Sequence, residues 1–126
     1  MVVVLDHLSV PAPDKVKAAE WYAQVFGVTY EGPYRDYAPV RVSPALQLNF
    51  TEEKELAHHN HYAFRTSYDE FEGVRQRLER MDVPWGSTTG NLDGQVYRRN
   101  GLLGFYFDDV IGHGCELITD DPAPAS

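Results

Sequence analysis

Three side chains in this sequence carry the chemistry of a metal site: His7, His61 and Glu116. Two imidazoles and one carboxylate, converging with coordination positions left open, form the facial arrangement that holds Fe(II), Mn(II), Ni(II), Zn(II) or Co(II). The three are remote along the chain, so only the fold can bring them together. An internal repeat supplies a way. His7 and His61 stand at the same place in two matching first strands, 61 − 7 = 54 residues apart. Phe26-Gly27-Val28 answers to Met81-Asp82-Val83 after one inserted residue, and Gln47-Leu48-Asn49-Phe50 answers to Glu116-Leu117-Ile118-Thr119. A repeat of this length marks a duplicated structural unit.

The side-chain period of two along a strand decides what shares a face with these groups. Leu5 and Ser9 fall with His7, Ala63 and Arg65 with His61, Ile118 with Glu116, and Asn49 with Gln47. Gln47 could add a fourth, neutral ligand through its carbonyl oxygen. Tyr106 could donate to an oxyanion in the site, and Arg65 could pair with Glu116 or with an anionic substrate. Arg99 is a further polar group near the same place. His58 and His59 lie in a charged stretch and are expected to be solvated. His113, in a Gly-flanked turn, is expected to be structural, and Cys115 to be an inert core thiol.

The elements that must position these groups follow from local pattern. Residues 2–10 read as a β-branched strand ended by Pro11-Ala12-Pro13. Asp14 sits at an N-cap, and Ala18, Trp21, Tyr22, Val25 and Phe26 follow at helical spacing. Gly27 fits the left-handed position that ends the helix. Strands are expected over 28–32, 37–42 and 45–50, then a polar linker over 51–60. The pattern restarts with a strand at His61-Tyr62-Ala63-Phe64-Arg65. Ser67-Tyr68-Asp69-Glu70 is a capping box, and Phe71, Val74, Leu78 and Met81 form the buried stripe of a second helix. Further strands are expected from 83, over 102–108 and over 115–119, with a long polar excursion at 87–100 and a frayed tail at 120–126. The fold class is thus α+β: one domain over 1–126, with module one at about 1–50 and module two at about 61–119. Each module is a βαβββ unit, and sheet twist bends the pair into an open, cup-shaped mixed sheet. His7 and His61 would face each other across it.

Composition sets the outer limits. The 43% hydrophobic and 24% charged content suits a packed domain of 126 residues. A single cysteine forms no internal disulfide, no run reaches the roughly 18–20 apolar residues of a membrane span, and the N-terminus lacks the basic region of a signal peptide. The expected location is the cytoplasm. A net charge of −8 repels phosphate backbones, which argues against nucleic acid as a partner.

Asp6-His7-Leu8 with a helix ending Phe26-Gly27, then His61-Tyr62-Ala63-Phe64, then Tyr106-Phe107-Asp108-Asp109 and Gly112-His113-Gly114-Cys115-Glu116-Leu117, taken in order over about residues 3–119, resemble the vicinal oxygen chelate superfamily. That superfamily includes glyoxalase I, extradiol dioxygenases, and fosfomycin and bleomycin resistance proteins. The resemblance implies one divalent metal held at the positions of His7, His61 and Glu116, with a small oxygen-rich substrate polarised through two neighbouring oxygens. It also implies a homodimer, with modules pairing within or across chains. Lyase, isomerase, epoxide-opening and dioxygenase chemistry all stay open. The alternative is a protein that sequesters a small molecule or antibiotic in an aromatic cup, as the bleomycin-binding members do without these ligands. Two departures bear on the choice. Residues Tyr97-Arg98-Arg99-Asn100 lack the extra His of extradiol dioxygenases, and Gln47 stands where glyoxalase I has a carboxylate that can take a proton.

Overall fold

The computed structural model describes residues 2–123. The chain divides into two compact units, Met1–His58 and His59–Ser126. Among the described residues there are two helices and eight strands in two mixed sheets, neither of which closes into a barrel. The α+β class expected from the sequence is what the chain adopts.

The first unit runs β1 (His7–Ala12), α1 (Lys15–Phe26), β2 (Ala38–Ser43) and β3 (Leu46–Glu52). Its sheet has the order β1-β3-β2, with β1 parallel and β2 antiparallel to β3. Asp14 caps α1 by accepting from the Lys17 N–H, and Gly27 closes it at φ 68°, as the sequence indicates. The helix lays Tyr22 and Val25 on Val10, Val40, Leu48 and Phe50, all essentially inaccessible to solvent. Each such side chain contributes about 1.5–3 kcal/mol by leaving water.

Two expectations for this unit need correction. The first strand starts at His7 rather than at residue 2, because β3 begins at Leu46 and offers no ladder earlier; it continues through Pro11. A proline is tolerated there because β1 is the sheet's edge strand. Residues 28–32 form no strand. Gly32 turns the backbone to φ 100°, Pro33 has no N–H to give, and the chain folds into the Tyr34–Tyr37 bridge instead. Module one is therefore βαββ in its ladders.

The second unit runs β4 (His61–Arg65), α2 (Tyr68–Arg80), β5 (Trp85–Gly86), β6 (Tyr97–Arg99), β7 (Leu102–Asp108) and β8 (Gly114–Asp120). The sheet order is β4-β8-β7-β5, and β6 shares the outer edge of β7 with β5. The capping box forms: Ser67 Oγ accepts from the Glu70 N–H at 3.2 Å and donates to the Glu70 carboxylate at 3.1 Å. Phe71, Val74 and Leu78 are buried along α2. Phe71 meets Phe105 edge-on at 4.9 Å, and Trp85 lies 5.3 Å from the same ring. Leu103, Phe105, Phe107, Cys115 and Leu117 complete this core. Cys115 is the buried thiol the alternation implies.

The polar excursion at 87–100 contains a strand that its composition hides. Asn100 and Gly101 both take positive φ, 54° and 78°, which makes a two-residue hairpin turn and pairs β6 with β7. At the C-terminal end, β8 continues through Asp120. The Asp121 N–H then donates to the Gly101 carbonyl, so fraying does not begin at 120. The remainder of the expected tail, 124–126, lies outside the described residues.

Candidate functional site

In the second unit, the face opposite α2 carries His61, Ala63 and Arg65 from β4, Glu116 and Ile118 from β8, and Gly104 and Tyr106 from β7. The parallel register sets His61 against Gly114 and Ala63 against Glu116. Gly114 stands opposite His61, and a Cβ there would meet Nδ1 at an ordinary contact distance of 3.4 Å. The imidazole then reaches diagonally to the carboxylate: His61 Nε2 lies 3.1 Å from Glu116 Oε1. The Glu116 side chain is only 12% exposed, whereas that of His61 is 48% exposed.

The second carboxylate oxygen is also held. The Tyr97 hydroxyl donates to Glu116 Oε2 at 2.5 Å. Burial, and then this bond to a carboxylate, push the Tyr97 phenol far above its ordinary pKa, so it stays a donor. Tyr97 reaches across because β6 places it opposite Gly104, over whose Cα its ring lies; a Cβ there would come within 2.1 Å of Tyr97 Cζ. Tyr106 stands directly opposite Glu116 in the ladder. Its ring lies 5.6 Å from Tyr97 and 6.1 Å from His61. Arg99 covers the Tyr97 ring at 4.6 Å and approaches the Tyr106 hydroxyl at 3.5 Å.

Arg65, expected near Glu116, turns instead to the Asp120 carboxylate. His113 is buried and accepts the Asn60 N–H at Nδ1, a structural role as expected. His59 is tied down rather than simply solvated, because its Nδ1 donates to the Gly112 carbonyl at 2.9 Å. The sequence reading passes over Tyr97. The signals were present in the Asn100-Gly101 hairpin turn and in a glycine placed opposite the tyrosine, but a long polar stretch masks both.

In the first unit, His7 and Gln47 are register partners on β1 and β3. His7 Nδ1 lies 2.7 Å from Asp6 Oδ2, and that hydrogen bond is the main cause of a lowered Asp6 pKa. A carboxylate on Nδ1 favours the tautomer whose Nε2 lone pair is free. Gln47 is committed on both sides, accepting from Arg41 at 3.3 Å and donating to Asn49 at 2.8 Å. With His7 and His61 taken as equivalent, the ladders align Ser9–Asn49 with Ala63–Glu116. Asn49, not Gln47, is then the counterpart of Glu116. The match of Gln47 with Glu116 expected from sequence is two residues out, because a shift of two keeps every side chain on its face.

Imidazole Nε2 and carboxylate Oε1 fit neighbouring places around a metal: ligands at roughly 2.0–2.2 Å from one ion stand about 3 Å apart, as these do. Among the described residues, no three His, Cys, Asp or Glu side chains gather within one such cluster.

No protein-family model matches the sequence. The chain is similar to the glutathione transferase FosA of Serratia marcescens, 26% identical over 125 residues, covering 93% of this chain and 81% of that protein. The solved structure of the oxidase ChaP-H2 matches with a TM-score of 0.83 at 26% identity, covering 100% of this chain and 98% of that one. A glyoxylase/bleomycin resistance protein/dioxygenase domain from Frankia sp. EAN1pec shares the fold at 12% identity, with a TM-score of 0.71 and coverage of 98% and 96%. The chain has an α+β fold of the glyoxalase type, and its neighbours are FosA, FosX and glyoxalase/bleomycin resistance/dioxygenase proteins, members of the superfamily its sequence resembles. These neighbours differ among themselves in stated activity, so that likeness leaves the reaction open.

Proposed function

We propose that the chain is a metal-dependent enzyme acting on a small, oxygen-rich organic substrate, with His7, His61 and Glu116 holding one divalent ion of Fe, Mn, Ni, Zn or Co. The carrying observation is the 3.1 Å approach of His61 Nε2 to Glu116 Oε1 on the exposed face of the second sheet. Support from the first unit is the Asp6–His7 pair, since a carboxylate on Nδ1 favours the tautomer that leaves a lone pair on Nε2. Gln47 is the weaker member of the set, since Arg41 already uses its carbonyl oxygen. A bound ion supplies Lewis acidity to two neighbouring substrate oxygens.

The protein's own groups do the rest. Tyr97 fixes the carboxylate plane of Glu116, so Oε1 stays turned to His61. Tyr106, beside His61, offers a phenolic proton to negative charge developing on the substrate. Arg65, engaged by Asp120, has the smaller claim to a catalytic part. The proposed enzyme acts as a homodimer in the cytoplasm. No helix among the described residues is long and apolar enough to cross a membrane.

The test is calorimetry with Mn(II), Ni(II) and Zn(II) on protein purified without chelator. One ion per site is expected, with affinity lost in His7→Ala, His61→Ala and Glu116→Ala. A wild-type protein that takes no metal, yet binds aromatic compounds tightly with or without His7, would instead be a sequestering protein.

A further inference from the structure

An asparagine closes on the next backbone nitrogen most readily where glycine follows it, because no Cβ shields that nitrogen. Of the four asparagines, only Asn100 precedes a glycine; Asn49, Asn60 and Asn91 precede larger residues. Aspartate undergoes the same closure more slowly, and Asp93-Gly94 is the one such pair. The two steps look alike in sequence, and the fold separates them. The Gly94 N–H donates to the Trp85 carbonyl at 2.7 Å, and the Asp93 carboxylate accepts from Ser87 and Gln95, so both reacting groups are held. Asn100 and Gly101 instead stand exposed at the tip of the β6–β7 hairpin. The last ladder pair there is Arg99–Leu102. Among the described residues, neither the Gly101 N–H nor the Asn100 side-chain amide has a hydrogen-bond partner. The space is open as well: a Cβ on Gly101 would meet nothing within 4 Å.

We propose that Asn100-Gly101 is a self-modification site whose isoaspartate product breaks the Tyr97–Glu116 contact. Hydroxide takes the proton of the Gly101 nitrogen, which attacks Asn100 Cγ. A bond from that nitrogen to Cγ forms, the Cγ–Nδ2 bond breaks, and ammonia leaves with a proton from water. Water then opens the five-membered imide. Opening at the side-chain carbonyl gives an ordinary aspartate. Opening at the backbone carbonyl gives isoaspartate, in which the chain runs through Cβ and Cγ and is one carbon longer. A two-residue turn sets hairpin register, so the extra carbon displaces β6 against β7. The Gly101 carbonyl is anchored by the Asp121 N–H, which leaves the short outer strand β6 to move. Tyr97 has no slack over Gly104, where a Cβ would come within 2.1 Å of its Cζ, so the shift carries its hydroxyl away from Glu116. The effect on metal affinity rests on the proposed metal-dependent reading; the modification and the change of register do not.

The experiment ages metal-free protein in mildly alkaline buffer, maps its peptides by mass spectrometry, and counts isoaspartate by enzymatic methylation. Modification should accumulate first at Asn100, faster at higher pH, with Asp93 spared. Asn100→Gly keeps a sequence suited to the turn and should show none at this position. The isoaspartate form, isolated by chromatography, should exchange the amides of the β6–β7 ladder faster than fresh protein. Asn100→Asp, which carries the new charge without the extra carbon, should exchange them like fresh protein. Zn(II) affinity by calorimetry should fall about 10–100-fold in the isoaspartate form and stay unchanged in Asn100→Asp. Modification at Asn91 or Asp93 as fast as at Asn100 overturns the site. Ladder amides as protected in the isoaspartate form as in fresh protein overturn its structural effect. If fresh protein binds no Zn(II), the metal reading falls, and the mass and exchange measurements still decide this one.

Discussion

The Tyr97 hydroxyl donates to Glu116 Oε2 at 2.5 Å, from a residue 19 positions away, while the other oxygen of the same carboxylate faces His61 at 3.1 Å. One carboxylate is thus held from both sides, with a phenol behind it and an imidazole in front.

Removing that hydroxyl alone, in Tyr97→Phe, should leave the ring packed over Gly104 and the fold intact. Partners of this kind orient ligands, and their loss typically costs about 10–100-fold in metal affinity. Calorimetry with Mn(II) or Zn(II) reads the effect directly. An affinity equal to that of the wild type would reduce Tyr97 to a packing residue.

Gly104→Ala should act on the same contact from the other side. The new methyl would come within 2.1 Å of Tyr97 Cζ, so the ring must leave Glu116 or the hairpin must shift. Overpacking of this kind costs roughly 1–3 kcal/mol. The cost should shrink in the double variant with Tyr97→Ala, where the clash is gone. Urea denaturation of the four proteins of this cycle measures the coupling, and simple additivity would refute the steric account.

Asp109 is a stability position, not a site residue. Its Oδ1 accepts from three successive backbone N–H groups, those of Ile111, Gly112 and His113, at 2.7–2.9 Å. Asp109→Ala leaves those donors without the acceptor and should destabilise by about 1–3 kcal/mol. Asp109→Asn, which retains a carbonyl oxygen, should lose less. Thermal melts of both variants rank the two losses.

The loop after β5 should open in acid. Asp93 accepts the Ser87 N–H and hydroxyl and the Gln95 N–H, and these bonds, the Ser87 N–H foremost, lower its pKa. A carboxylate depressed in the folded state contributes stability that is complete above the unfolded value, near 3.9, and is lost as pH falls through the lower folded value. Amide exchange at Ser87 and Gln95 should therefore accelerate as pH drops below about 4, relative to intrinsic rates. Asp93→Asn should flatten that dependence.

The sequence by itself determined the kind of protein. Helix ends at Asp14, Gly27 and Ser67, the buried stripe Phe71, Val74, Leu78, and the alternation of β4, β7 and β8 are local. They depend on propensity, capping and period, which neighbouring residues carry among themselves. The repeat placed His61 and Glu116 on strands whose exposed faces they share. What it could not supply was register. A ladder pairs residues far apart in sequence, and a slip of two preserves every polar-apolar position. Hence pattern alone pairs Gln47 with Glu116 where the ladders favour Asn49, and predicts a strand over 28–32 where no ladder partner exists. Only the folded second sheet could show that β6 exists, that Gly104 makes room for Tyr97, and that the phenol meets Glu116. That contact depends on two strands meeting at a particular offset, a property that belongs to the pairing and to neither segment alone.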